Sequence, residues 1–194
     1  MLYSARRRDR AVDFKYVMRE LVDSFARQGI DYALMGGFAL GVWGAPRATV
    51  DMDFLILIED MDRAHAILTS LGYELRYKSP NVSQYLSPLK TFGEIDFLHA
   101  FRDVAKSMLR RAPQKDIFGG EMKVKVLLPE DIIGLKVQAI ANDPSRKNAD
   151  LADIESLLKL HARRLDWQLI QSYFELFDFG PLFESLRGDY GEAQ

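Results

Sequence analysis

Residues 31–59, which read DYALMGGFALGVWGAPRATVDMDFLILIE, give the clearest indication of the fold. Residues 31–35 predict a short buried strand, and a pair of glycines follows it directly. Residues 38–43 predict a short helix, which the sequence GAP ends. Residues 51–59 are the strongest predicted strand of the chain, because apolar side chains lie on both of its faces, as in the interior of a sheet. The segment therefore predicts two core strands joined by a Gly-Gly turn and a helix.

The rest of the chain adds strands first and then helices. Residues 9–28 predict an amphipathic helix, which Gly29 ends. After the central segment the pattern predicts a helix over 60–71 and strands over 73–78, 83–87, 92–100 and 121–128. From position 129 it predicts helices over 129–141, 147–160 and 166–177, a short C-terminal helix and a polar tail over 188–194. We therefore expect an α/β (α+β) fold, with a core over 1–128 and a helical region over 129–194 packed on it.

Composition limits the classes of function that the chain can have. Its 194 residues carry a net charge of -2, which argues against a strongly basic nucleic-acid-binding domain. The absence of cysteine excludes disulfide scaffolds and cysteine-ligated zinc or iron–sulfur sites, and the three histidines share no metal-ligand spacing. Any metal is therefore expected to be a hard cation with oxygen ligands, such as Mg²⁺ or Mn²⁺. No apolar run approaches the ~20 residues that span a bilayer, so we expect a cytoplasmic protein without a membrane segment.

Two carboxylates stand at the start of the strongest strand. Residues two apart on a strand point to the same face, so Asp51 and Asp53 project side by side. Two adjacent anions repel each other unless a cation lies between them, and a divalent hard cation meets this need. An isolated Asp-x-Asp pair is more often two solvated acids at a strand end. The neighbouring features decide between these interpretations.

The glycine pair Gly36 and Gly37 lies between a strand and a helix, and thirteen residues separate Gly37 from Asp51. Glycine lets the backbone approach a phosphate closely, and the free amides at a helix start favour an anion. Many strand–helix turns use Gly-Gly, so the pair is weak evidence alone. Together with the acidic strand, however, it predicts a phosphate cradle beside a metal site, which is the arrangement that holds a metal–nucleotide complex.

A third carboxylate, Asp96, lies among apolar neighbours in the predicted strand over 92–100. A buried carboxylate needs a hydrogen-bond partner, an opposite charge or a metal. If this strand neighbours the acidic strand, Asp96 completes a triad with Asp51 and Asp53. Glu94 lies on the same face two residues earlier and is the alternative for this role. A structural ion pair with arginine or lysine is the other interpretation of Asp96.

The pattern Gly-Gly, Asp-x-Asp, Asp resembles the nucleotidyltransferase superfamily that includes DNA polymerase β. Residues 35–56, MGGFALGVWGAPRATVDMDFLI, resemble more closely the bacterial nucleotidyltransferases of the AbiEii toxin type. Those proteins carry a Gly-Gly-x-Ala turn followed by Pro-Arg-x-Thr-x-Asp-hydrophobic-Asp. Residues 129–136 and 146–154 resemble two helical motifs of the same family, with Ala149 where lysine is usual. The resemblance implies a mixed-sheet nucleotidyltransferase core.

The resemblance also implies a role for each candidate residue. Asp51, Asp53 and Asp96 are expected to hold Mg²⁺ or Mn²⁺, and Asp96 to serve as the base. The residues expected to bind the nucleotide are Gly36, Gly37, Arg47, Thr49, Lys136 and Asp150. An exposed loop arginine is often only solvated, and a lysine within an apolar helix can extend its charge to solvent, so Arg47 and Lys136 keep these structural interpretations. The implied reaction moves a nucleoside monophosphate from a triphosphate to a hydroxyl, with release of pyrophosphate.

The acceptor and the partners stay open at this point. The toxin-like resemblance favours a macromolecular acceptor, a tRNA end or a protein, together with a cognate antitoxin. A small-molecule acceptor such as an antibiotic is the alternative, and a non-catalytic nucleotide-binding module is a second class. Several basic residues are candidates for binding an RNA backbone, although a solvated surface is the simpler interpretation. These residues are Arg6, Arg7, Arg8, Lys106, Arg110, Arg111 and Lys115. Trp43 and Tyr85 are candidates for stacking on a base, or else core residues.

Overall fold

The structure, a computed structural model, describes residues 14–88 and 93–191. One sheet contains the strands β1 (Tyr32–Met35), β2 (Asp51–Leu57), β3 (Glu74–Lys78), β4 (Val82–Leu86) and β5 (Glu94–Ala100). Their spatial order is β1-β2-β5-β4-β3, with β2 and β5 parallel and the other neighbours antiparallel. A separate hairpin consists of β6 (Gln114–Ile117) and β7 (Met122–Lys125). The chain after β7 returns to the sheet, where Val126 bridges Leu34.

Helices flank the sheet and form the C-terminal third of the chain. The first four are α1 (Phe14–Gln28), α2 (Gly36–Val42), α3 (Met61–Ser70) and α4 (Asp103–Arg111). The last four are α5 (Pro129–Asn142), α6 (Lys147–His161), α7 (Trp167–Leu176) and α8 (Gly180–Tyr190). None of the helices in the described ranges combines the length and the apolar character that crossing a membrane requires.

The predicted mixed α/β class is confirmed, and most predicted elements lie within a few residues of their expected ends. The helix after the first strand begins at Gly36, two residues earlier than predicted. The helix α4 and the strand β6 were not predicted, because α4 buries only Met108 and Leu109 and β6, QKDI, has a single apolar residue. The predicted polar tail was wrong at its start, since α8 continues to Tyr190, whose ring packs against the core.

One face of the sheet is buried along β2, β5 and β4, whereas the edge strand β3 is exposed. Met52, Phe54 and Ile56 of β2 alternate towards that face and are completely buried, and Phe97 of β5 stacks on Phe54 with ring centroids 5.8 Å apart. Phe25 of α1 meets both of these rings edge-on. Burying large aromatic side chains contributes much of the stability of such a core. The opposite face carries the candidate acidic residues, so this packing determines on which side of the sheet the site lies.

Polar contacts join the helical region to the sheet. Asp131 at the start of α5 is completely buried, and it accepts hydrogen bonds from Arg111 of α4 and from the Tyr173 hydroxyl of α7. Trp43 after α2 donates its indole hydrogen to Leu127 O at 2.8 Å. The Asp131 contacts tie α5 to α4 and α7, and the Trp43 contact ties the chain just before α5 to the end of α2. The proposed division into units over 1–128 and 129–194 remains a prediction.

Candidate active site

The candidate carboxylates lie in rows across parallel strands. Asp53 of β2 is the register partner of Asp96 of β5, and Asp51 is the partner of Glu94. Register partners on adjacent strands project to the same face, with strands about 4.8 Å apart. Asp53 and Asp96 are half-buried, whereas Glu94 is exposed. The geometry therefore brings Asp96 next to Asp53, and places Glu94 at the rim beside Asp51.

Burial and the acidic neighbours in this row raise the pKa of the Asp53 carboxylate well above its usual value. Burial, followed by repulsion from Asp96 and Asp51, raises the pKa of Asp53 from 3.8 to about 6. Lys136 and Arg47 act in the opposite direction, because their positive charges favour the ionised carboxylate. The pKa of Asp96 is also raised, mainly by burial, and the Asp51 and Glu94 charges add to the effect. A bound cation would relieve this repulsion.

Gly36 is required where β1 ends and α2 begins. Its φ of +63° belongs to the left-handed region, and a Cβ at this position would lie 2.5 Å from Asp53 Cγ. The next residue, Gly37, faces Thr49, whose Cβ would be 2.8 Å from an added Cβ. The Thr49 hydroxyl donates to Asp51 O at 3.2 Å. The glycine pair thus allows the backbone of the turn to contact the acidic strand directly.

We expect Gly36→Ala to cause a large loss of activity, because the added methyl group displaces the Asp53 carboxylate and the backbone is strained as well. Gly41→Ala in the same short helix is the matched control, since a Cβ there meets nothing within 4 Å. The control should be neutral or gain about 0.5–1 kcal/mol in the free energy of unfolding. Thermal unfolding and rates of nucleotide turnover measure both effects. Equal activity in the two variants would contradict this account of Gly36.

A cavity of about 130 Å³ opens beside Asp53. Gly36, Asp53 and three cationic side chains, Arg47, Lys136 and Arg146, line this cavity together with Asp150. Ligand pockets for whole small molecules are usually about 300–1,000 Å³, so this cavity has room for phosphate groups and not for a complete nucleotide. A second cavity, of about 640 Å³, lies between α2 and the β6–β7 hairpin and shares Arg47 with the first.

Two acids of α6 hold the cations of the small cavity in place. Lys136 Nζ donates to Asp150 at 2.7 Å and to Asp153 at 2.5 Å, and the lysine is 8% exposed. Asp153 also pairs with Arg47 at 3.4 Å, and Arg146 Nε donates to Asp150 at 2.9 Å. The structure therefore does not support solvent-directed placement of Lys136, whereas Arg47 remains exposed to solvent while it pairs with Asp153.

The carboxylates suit a hard divalent cation that also binds substrate oxygens. One oxygen of Asp96, Oδ1, is buried without a hydrogen-bond partner, as expected of a ligand atom. Within residues 14–88 and 93–191, no three acidic or histidine side chains converge closely enough to hold an ion by themselves. Mg²⁺ usually takes only one or two carboxylates and completes its octahedron with water and substrate phosphates. The pair Asp53 and Asp96, with Asp51 adjacent, matches this incomplete protein ligand set.

Three further residues reach the site without having been predicted. Arg146 and Asp153 line or support the cationic cavity, and Gln84 of β4 donates to Asp96 at 3.1 Å. The four-residue spacing of Arg146 and Asp150 on a helix was the available signal for the arginine. A glutamine within an otherwise half-buried strand was the signal for Gln84.

The structure separates other candidates from the site. Tyr85 is 2% exposed and packs on Phe97, so it is a core residue. Trp43 is held by Leu127 O, and Lys115 lies over its ring at 3.9 Å. The basic candidates Lys106, Arg110 and Arg111 contact Glu59, Ser107 and Asp131 respectively. Arg6, Arg7 and Arg8 lie outside the described residues.

Residues 3–182 match the sequence profile of a protein family described as uncharacterised nucleotidyltransferases. The chain belongs to this family. The match includes the acidic strand, the glycine turn and most of the helical region, so the site described above lies within the matched residues. No functionally curated protein is similar enough in sequence to match the chain.

Solved structures with the same fold include antibiotic-modifying enzymes. The resistance factor ANT(2'')-Ia superimposes with a TM-score of 0.62 at 13% identity, over 90% of this chain and 95% of that one. The lincosamide adenylyltransferase LnuA, solved with lincomycin, gives 0.55 at 13% identity over 78% and 99%. An antigenic nucleotidyltransferase-like protein from Paracoccidioides brasiliensis gives 0.54 at 20% identity over 91% and 93%. At these identities the likeness establishes the fold that the chain shares with them.

Proposed function

We propose that this chain is a metal-dependent nucleotidyltransferase that moves a nucleoside monophosphate from a triphosphate to an acceptor hydroxyl. The observation that carries the proposal is the position of Asp53. Its carboxylate has a second acid, Asp96, on one side and a cavity lined by three cations on the other. In an in-line displacement the attacking and leaving groups lie on opposite sides of the phosphorus. Asp96 and the cationic cavity, on opposite sides of Asp53, suit the attacking hydroxyl and the leaving phosphates respectively.

Asp51, Asp53 and Asp96 would hold the divalent cation, Mg²⁺ or Mn²⁺. When bound, such a cation polarises phosphate oxygens and offsets the negative charge that develops during transfer. Lys136, Arg146 and Arg47 line the neighbouring cavity and stabilise the charge of the phosphates that leave as pyrophosphate. The backbone amides of Gly36 and Gly37 lie at the start of α2, where the first amides of a helix lack intrahelical acceptors. Thr49 holds the Asp51 backbone and Asp150 holds Lys136.

Asp96 provides the base of the proposed reaction. Its free Oδ1 accepts the proton of the acceptor hydroxyl, whose oxygen then forms a bond to the α-phosphorus. The bond from the α-phosphorus to the bridging oxygen breaks, and pyrophosphate leaves with the electron pair. A raised pKa suits this role, because it makes the Asp96 carboxylate a better proton acceptor.

A small-molecule acceptor is favoured by how the basic residues are engaged. Arg111 is committed to Asp131, Lys106 pairs with Glu59, and Lys115 lies on the Trp43 ring. These internal contacts reduce their availability to an RNA backbone. Antibiotic acceptors of two proteins with this fold agree with this choice. The toxin function, with tRNA or a protein as acceptor and an antitoxin as partner, is the second candidate and rests on the residues 35–56 that resemble the AbiEii type.

Incubation with each α-labelled nucleoside triphosphate and Mg²⁺ or Mn²⁺ tests the function. Separate reactions contain aminoglycoside or lincosamide antibiotics, total tRNA, or cell protein as acceptor. Metal-dependent release of pyrophosphate with label in the antibiotic fraction supports the first candidate, and label in tRNA or protein supports the second. Binding of a nucleotide without turnover in any reaction would contradict the enzyme and leave a nucleotide-binding module.

Asp96→Asn is expected to lower the rate of nucleotidyl transfer at least about 100-fold. This loss exceeds the one that usually follows removal of a residue that only hydrogen-bonds to a metal ligand. Glu94→Gln should stay within about threefold of the wild type, because Glu94 is an exposed residue opposite Asp51 and acts on Asp96 only through a solvated charge. Steady-state rates at saturating nucleotide measure both variants. The assignment of the base would be reversed if Glu94→Gln were the inactive variant.

A further inference from the structure

The residue Gln84 lies at the centre of β4, on the open face of the sheet. It is the register partner of Asp96, which in turn is the partner of Asp53. The three side chains therefore form one row across β4, β5 and β2. Gln84 is half-buried, and the residues that alternate with it, Ser83 and Tyr85, are buried on the opposite face. This arrangement presents the amide of Gln84 to the acid that the mechanism uses.

A single hydrogen bond makes the two oxygens of Asp96 different. Gln84 Nε2 donates to Asp96 Oδ2 at 3.1 Å. The other oxygen, Oδ1, is buried and has no hydrogen-bond partner. A carboxylate rotates about its terminal bond with little preference, so without the amide either oxygen can turn towards Asp53. The hydrogen bond occupies one oxygen and thereby leaves the other available.

We propose that Gln84 is a positioning residue, which holds the Asp96 carboxylate in the orientation that leaves Oδ1 for the cation and the acceptor proton. This inference rests on the proposed function, since it assigns Gln84 a task in the same site. Outer partners of this kind orient a metal ligand, and their loss typically costs 10–100-fold in metal affinity or activity.

The chemistry of the amide suits this task better than a charged donor does. Lysine or arginine opposite Asp96 would neutralise the carboxylate and compete with a cation for it. A neutral amide donates a hydrogen bond and leaves the negative charge available. The amide hydrogen bond also favours the ionised form of Asp96, opposing the effect of burial. Gln84 therefore orients Asp96 without removing the charge that a metal needs.

The test measures Mn²⁺ affinity by electron paramagnetic resonance, without nucleotide, in Gln84→Met and in the control Leu86→Met. Both positions lie on the same face of β4, but Leu86 is opposite Glu94. Gln84→Met keeps the length of the side chain and removes the donor. We expect its Mn²⁺ affinity to fall about tenfold, with a similar fall in kcat and an unchanged KM for the nucleotide, whose phosphates bind on the other side of Asp53. The control should match the wild type.

Wild-type Mn²⁺ affinity and kcat in a folded Gln84→Met protein would overturn the positioning role. If that variant fails to fold, Gln84→Thr removes the same donor with a residue that favours strands, and the same results are required of it. The variants Asp53→Asn and Asp96→Asn distinguish a failure of this inference from a failure of the proposed function. If both aspartate variants lose Mn²⁺ binding and the Gln84 variants bind Mn²⁺ as the wild type does, only this inference is refuted. If all the variants bind Mn²⁺ as the wild type does, the metal site of the proposed function is refuted.

Discussion

Replacement of Asp53 by asparagine is expected to abolish nucleotidyl transfer and, at the same time, to stabilise the metal-free protein. The two effects have one cause, because burial and the charges of Asp96 and Asp51 make ionised Asp53 costly and raise its pKa to about 6. A shift of about two pKa units corresponds to roughly 3 kcal/mol. Residual solvent contact reduces the expected gain to about 2 kcal/mol. For a chain of this size, that gain raises Tm by about 4–8 °C.

The pH dependence of this gain follows from the direction of the shift. Because the folded pKa is raised above the unfolded value of 3.8, the folded protein holds the Asp53 proton more tightly than the unfolded chain does. The contribution of Asp53 to wild-type stability therefore falls as pH rises from about 4 to about 6. The advantage of Asp53→Asn should be complete above pH 7 and disappear below pH 4.

Thermal unfolding in EDTA between pH 4 and 8 measures this difference, and turnover at pH 8 measures the loss of activity. Asp189→Asn, an exposed residue of α8, is the control and should change neither quantity. We expect activity to fall at least about 100-fold, beyond the usual cost of losing an outer-shell partner. A variant that is less stable than the wild type at pH 8 would show that Asp53 is not repelled in the metal-free state.

Replacement of Lys136 by methionine is expected to produce the largest loss of stability. Lys136 is the buried partner of both Asp150, 1% exposed, and Asp153. Removing one member of a buried ion pair typically costs about 3–5 kcal/mol, and here Arg146 and Arg47 would remain to offset only part of the charge of the two acids. The corresponding fall in Tm is about 6–20 °C at neutral pH. Loss of nucleotide turnover should accompany it, because the lysine lines the cavity beside Asp53.

The triple variant Lys136→Met, Asp150→Asn, Asp153→Asn separates charge from packing. Removing both acids should recover most of the lost stability without restoring turnover. Burial opposes ionisation of Asp150, but hydrogen bonds from Arg146 and Lys136 outweigh it and lower its pKa. The stability that these partners give Asp150 is therefore present above its unfolded pKa and lost as pH falls through the lower folded value. No recovery in the triple variant would indicate that Lys136 stabilises by packing and not by charge.

Local patterns were sufficient for most of the helices and strands, and for the pair Asp51 and Asp53 of the site. The strand at 51–57 and the helix beginning at Pro129 follow from apolar periodicity and from proline at a helix start. The four-residue strand β6 escaped prediction because its single apolar residue carries no periodicity. The sequence also did not distinguish two interpretations of Tyr85, as a base-stacking residue or as a core residue, and the structure shows that it belongs to the core.

That Asp51 and Asp53 share a face follows from the sequence, because the side-chain period of a strand is two. The sequence also places glycine where the chain turns beside them. That Asp96, and not Glu94, lies opposite Asp53 follows from the fold, since it depends on the register of two strands about forty residues apart. The same holds for Gln84 beside Asp96 and for Lys136 between two acids of α6. Such contacts form where separate elements pack together, and no periodicity within a single element encodes them.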